Sequence, residues 1–242
     1  MTDKVVKVAE HALQGITLPP LTRPPVPFLT PNEDLAIFAV RVYAYSLIAH
    51  IRTVLAGVIV LDEAGNTPSA RPLCRHVFEW TAQAAYVAEN VSKHVKVGQW
   101  SRVFRVVCDF DSSNEWISRY GGKYGADPIQ LNHPPRVRLK HWMAAYDRFR
   151  VEEYGDTTVG ESYGYLSEHA HPSGACFLDY REVCGTELRF VPAGREHLPD
   201  IGHSLLDWLM LVYRILALAN EDTVRVPLLR VIETVAALRG QR

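Results

Sequence analysis

Between Val42 and Leu61 the chain stays apolar for long enough to cross a bilayer, yet His50 and Arg52 sit near the middle of the run. Either side chain is costly in hydrocarbon, so the stretch reads as the buried helix of a water-soluble bundle. A second apolar run, Leu205 to Ala219, contains Asp207 and Arg214 and is too short to span a membrane. Helices apolar on several faces, as over Ala70 to Val91 and Leu205 to Ala219, demand neighbours, for they expose more surface than a thin bundle can cover. A homodimer is expected on that ground, and no membrane partner.

The remaining periodicity supplies those neighbours. Apolar residues recur with helical spacing over about 4–14, from an Asn32 cap to about 61, and over about 70–96, 99–120 and 136–154. Two further helices are expected over about 198–220 and 226–239. In the first of all these helices Val5, Val8, Ala12 and Leu13 form the expected apolar face. Glu33 and Asp34 lie well against the helix dipole behind Asn32, and Gly65 ends that helix. Prolines at 19, 20, 24, 25, 27 and 31 forbid helix and favour an extended arm. From Cys176 to Val191 the period shifts to alternation around Cys184-Gly185, as in a small β-hairpin. The reading is an all-α, single-domain helical bundle over 32–242 with a β-hairpin insertion at about 176–191. An N-terminal helix and proline-rich arm occupy 1–31, and a Gly- and Pro-rich connection covers 121–135.

Charge and cysteine usage narrow the function classes. The net charge is -1, so no bulk basic field points to nucleic acid or an anionic membrane. Cys74, Cys108, Cys176 and Cys184 show neither a CxxC nor a disulfide spacing, and Met-Thr-Asp-Lys is unlike a signal peptide. A reduced, cytoplasmic setting is expected.

The chemistry-bearing stretch is Gly160 to Ser173. As a helix it places Gly160, Gly164, Ser167 and His171 on one stripe, and Pro172 then stops it. Small residues there would admit a neighbouring backbone and leave an imidazole at the end of the groove. Ser167 and His171 share a face, but no orienting acid and no nucleophile elbow accompany them. His169 and His171 lie two apart and so point to opposite sides of a helix, and the spacing of Cys176 and Cys184 is unlike a zinc knuckle. No metal and no cofactor are expected. The basic run from Arg136 to Trp142, continuing to Arg148 and Arg150, reads as a solvated face, while Trp142, Tyr146 and Phe149 have the spacing of a core face.

Two further pairs lie near the start of the helix expected over 70–96. Arg71 and His76 match the R-x4-H spacing of the HEPN ribonucleases, in which an Arg stabilises phosphate and a His moves a proton without metal. Pro72 stands where that pattern has a polar residue. Arg75 and Glu79 are one turn apart and present their side chains together.

Arg75-His-Val-Phe-Glu79, followed far downstream by Tyr163-Gly-Tyr-Leu-Ser-Glu-His-Ala-His-Pro-Ser173, resembles a family of uncharacterised, all-helical bacterial proteins known only as a domain of unknown function. The likeness spans roughly residues 35 to 220 and rests on these two motifs. It implies an all-α fold and one polar site built from both, with Arg75, Glu79, Ser167 and His171 as ligand-binding residues. The expected function is that of a non-catalytic binding or interaction protein taking a small polar or anionic ligand. The alternative is a HEPN-like, metal-independent ribonuclease in a toxin or defence role, with RNA as partner. Its catalytic candidates are His171, Ser167, Arg71 and His76.

Overall fold

The computed structural model describes residues 2–22, 24, 31–111, 139–156, 159, 163–164, 181–184, 187–190 and 201–240. Within them seven helices carry the core: α1 (Thr2–Gln14), α2 (Glu33–Glu63), α3 (Thr67–Val95), α4 (Trp100–Asp111), α5 (Leu139–Tyr154), α6 (Gly202–Leu218) and α7 (Asp222–Gly240). The fold class is all-α, as the helical spacing indicates. Of the segment expected as a hairpin, the described residues are two four-residue strands, β1 (Arg181–Cys184) and β2 (Glu187–Phe190). They pair antiparallel with Arg181 opposite Phe190. The expected connection at 121–135 lies outside the described residues, as do 23 and 25–30 of the proline arm.

Helix α3 is the axis of the bundle. It packs against α2, α4, α5 and α6. Ala82, Ala84, Ala85 and Ala88 are all buried along it, and such small side chains let neighbouring helices approach closely. The opposing surface comes largely from α6, where Leu205, Trp208, Leu209, Val212, Ile215 and Leu216 are fully buried. The Thr81 hydroxyl lies 2.8 Å from the carbonyl of Val77 and 3.0 Å from that of Ser204, a polar tie between the two helices.

Helix α2 starts where the Asn32 side chain accepts the Leu35 N–H at 3.0 Å. By length and composition alone it is apolar enough to cross a membrane. Its buried residues, from Ala36 to Val58, face the same core cluster as those of α3 and α6. At Gly57 an added Cβ would stand 3.0 Å from the Leu73 side chain, so the missing side chain is what lets α3 lie close there. Helix α1 covers α2 and α7 with Val5, Val6, Ala9 and Leu13. That face is rotated from the expected one, since Val8 and Ala12 are only partly buried.

The junction of α6 and α7 is built on one residue in the left-handed region. Asn220 has φ 51, its N–H bonds the carbonyl of Ala217, and the Glu221 N–H returns to Leu216. This is the Schellman arrangement, which satisfies carbonyls left open at a helix end. Because the turn closes so tightly, α7 begins at Asp222 instead of the expected Val226, and Pro227 falls inside it. Arg41 of α2 seals the junction, donating to the Ala219 carbonyl from Nε at 3.2 Å and Nη2 at 3.0 Å, and pairing with Glu221 at 3.2 Å.

A β-carbon in the left-handed region costs energy that glycine avoids, and Asn offsets part of it. Asn220→Ala is therefore expected to destabilise by about 1 kcal/mol, whereas Asn220→Gly leaves stability unchanged or raised. Urea titration followed by far-ultraviolet circular dichroism distinguishes the two.

Candidate functional site

Arg75 and Glu79 meet as their spacing predicts, with Nε donating to Oε1 at 2.8 Å. Both are partly exposed, at 17% and 23% of their side-chain surface. The third member is Tyr163, from the second motif. Its hydroxyl accepts from Arg75 Nη2 at 2.9 Å and donates to Glu79 Oε1 at 3.3 Å, closing a triangle. The Arg75 guanidinium also lies 5.3 Å from the centroid of the Tyr163 ring. The two motifs therefore meet in space, at Tyr163. The tyrosine precedes Ser167 by four residues and His171 by eight, the helical stripe spacing, and that signal could have identified it.

Ser167 and His171 lie outside the described residues, as do Gly160, His169 and Cys176. Gly164 is described and corrects one expectation. It is exposed, and among the described residues a Cβ there would meet nothing within 4 Å, so they show no close packing at this member of the stripe.

Arg71 and His76 do not converge. Arg71 is 2% exposed inside the bundle, whereas His76 is exposed. Five helical residues separate side chains by about 140° around the axis, so the two point to different surroundings. Cys74 beside them is buried, and burial, with Asp62 adding to it, pushes its thiol up to about 12. A thiol so held stays protonated and is no nucleophile.

A second polar cluster was not anticipated. Asp207, 1% exposed in the middle of α6, accepts three side-chain bonds. Tyr146 donates to Oδ2 at 2.7 Å, Arg150 Nη1 to Oδ2 at 3.0 Å, and Tyr154 to Oδ1 at 2.8 Å. The donors are spaced by four on α5 and so form one stripe facing α6. Arg150 uses its other Nη2 to hold Asp156 at 2.7 Å. Burial holds Tyr146 and Tyr154 above the ordinary phenol range, and the Asp207 carboxylate adds to it, so both remain donors. Burial pulls the Arg150 guanidinium down, but its bonds to Asp156 and Asp207 outweigh that and leave it raised. The expected solvated basic face is corrected here. Arg150 is buried, because Asp207 offers it a counter-charge, while exposed Arg148 pairs with Glu89 at 2.7 Å. Tyr146 and Phe149 occupy the core as expected.

A third feature lies between α2 and α3, where the His50 ring stacks on Trp80 with centroids 3.7 Å apart and planes 11° from parallel. Its Nε2 is buried, with no hydrogen-bond partner among the described residues. Burial, and then nearby His76, lowers the His50 pKa. Among the described residues no group of three or more His, Cys, Asp or Glu is placed to hold a metal ion. No known protein family, curated protein or solved structure matches this chain.

Asp207→Asn removes one of the two carboxylates that hold Arg150 while keeping the shape, and losing the charged partner of a buried hydrogen bond costs about 1.5–3 kcal/mol. A loss of that size is expected in urea denaturation. For His50, a folded-state value below the ordinary 6.5 means that the unfolded chain binds the extra proton. Stability from this group is therefore full above the ordinary 6.5 and is lost as the pH falls from there towards the lower folded-state value. His50→Phe keeps a ring on Trp80 but cannot titrate, and it is expected to flatten this part of the acid limb in thermal melts between pH 7 and about pH 5.

Proposed function

We propose that this is a non-catalytic binding or interaction protein whose polar site is built on Arg75, Glu79 and Tyr163, with a small anionic ligand as its occupant. The observation that carries the reading is the closed triangle of Arg75, Glu79 and Tyr163 in a partly exposed position. A guanidinium held on one side by a carboxylate and on another by a phenol is pre-organised, and its planar fork suits carboxylate or phosphate. Ser167 and His171 follow Tyr163 in the same motif and are assigned to the site on their sequence spacing alone. The neighbouring Cys74 thiol is held protonated, which supports binding over nucleophilic catalysis by that thiol. The same reading takes the chain as akin to the all-helical bacterial proteins that its two motifs resemble. It also takes the protein as a cytoplasmic homodimer, with a hairpin insertion at about 176–191. The ribonuclease alternative needs Arg71 and His76 at one phosphate, and the burial of Arg71 counts against it.

Small molecules released from the natively purified protein, measured by mass spectrometry, test the reading. An anionic compound is expected at near-stoichiometric level in the wild type. It should fall at least about tenfold in Arg75→Gln, the effect of losing about 1.4 kcal/mol or more from a charge-assisted contact. The variant should keep its helical circular dichroism. Equal retention by a folded Arg75→Gln protein, or no bound anion in the wild type, overturns the reading.

A further inference from the structure

The two polar clusters are connected by two separate routes. The first follows the chain. Gly155, at φ 69, turns the backbone at the end of α5, and Asp156 comes back six residues to Arg150, which is itself held on Asp207. Val159, three residues on, is 1% exposed in the core, and Tyr163 then reaches Arg75 and Glu79. Of the described residues beyond α5, Asp156 and Tyr163 are thus held by charged groups and Val159 by the apolar core. The second route is aromatic. Tyr146, which donates to Asp207, meets Phe78 edge-on at 5.4 Å, and Phe78 meets Tyr163 at 5.9 Å. Phe78 stands on α3 between Arg75 and Glu79, so the same helical turn that carries the candidate site also carries the contact to the Asp207 cluster.

We infer that the Asp207–Arg150–Asp156 chain positions Tyr163 against Arg75 and Glu79, so that the end of α5 and the candidate site are energetically coupled. Asp156 and Arg150 are positioning residues in this scheme, acting through Tyr163. Asp156 is the adjustable member, since its side chain is 38% exposed whereas that of Asp207 is 1% exposed. Whatever engages Asp156 or competes for Arg150 would loosen Tyr163. By linkage, whatever tightens Tyr163 would tighten the α5 terminus by the same factor. The regulatory use of this coupling rests on the reading of Arg75, Glu79 and Tyr163 as a site. The coupling itself is measured without ligand, so either can fail alone.

Amide hydrogen exchange on the full chain tests it, with Asp156→Ala and Tyr163→Phe as single variants. Asp156→Ala is expected to speed exchange in the peptide ending at Tyr163–Gly164 by at least about fivefold, and Tyr163→Phe to speed exchange at the C-terminal turn of α5 by a similar factor. The double variant should exchange no faster than about the larger single effect, because both changes break one connection. Peptides from α3 and α6 serve as the folding control. If they also accelerate in Asp156→Ala, Asp156→Asn, which keeps the side-chain shape, replaces it. Effects confined to the mutated end, or multiplying in the double variant, overturn the coupling.

Discussion

A single carboxylate in the middle of an apolar helix sets conditions on half of this bundle. Asp207 cannot sit among Leu205, Trp208, Leu209 and Leu211 without donors, since a buried charge lacking partners is far more costly than any one apolar contact is favourable. The structure answers with three donors from α5, spaced so that one face supplies all of them. That requirement fixes the rotation of α5 about its own axis and its register along α6. It also draws Arg150 out of solvent and gives Asp156 a place to return to. A hydrophobic contact would have tolerated some rotation. Bonds to a fixed carboxylate do not.

Around this tie the packing follows size. The alanines of α3 allow α2, α5 and α6 to close on it, while α6 brings the bulk that fills the space between. The turn at Asn220 and the Arg41 clamp then fold α7 back against α1 and α6. The candidate site lies on α3 at the level of Phe78, where the aromatic contacts from Tyr146 to Tyr163 pass. Its polar triangle is therefore set into the wall of the core, which explains how Arg75 and Glu79 are held in place while still reaching solvent.

Much of this was legible in the chain. Helical spacing located the helices, because a period of 3.6 residues records the direction of the core in every turn. The Asn32 cap, the Arg75–Glu79 pair and the core face of Tyr146 and Phe149 were equally readable, since each depends on residues three to four apart in one helix. Asp207 and Arg214 weighed against a membrane span over 205–219, and the need of Asp207 for partners was implicit in the same fact. The partners themselves were also written out, as a tyrosine, an arginine and a tyrosine spaced by four.

What spacing could not decide is which stripe of one helix meets which stripe of another. Arg71 and Arg75 look alike in the sequence and lie one turn apart on the same side of α3, yet one is buried and the other reaches the surface, because what packs over that side changes from one turn to the next. Arg148 and Arg150 divide in the same way, one to Glu89 at the surface and one to Asp207 in the core. Tyr163 joins Arg75 across 88 residues, and Tyr146 joins Asp207 across 61. The sequence by itself determined the helices, their caps and the polar residues that needed partners. Only the tertiary structure decided the pairings, because a pairing depends on the rotation and register of two helices at once, and neither helix encodes the azimuth of the other.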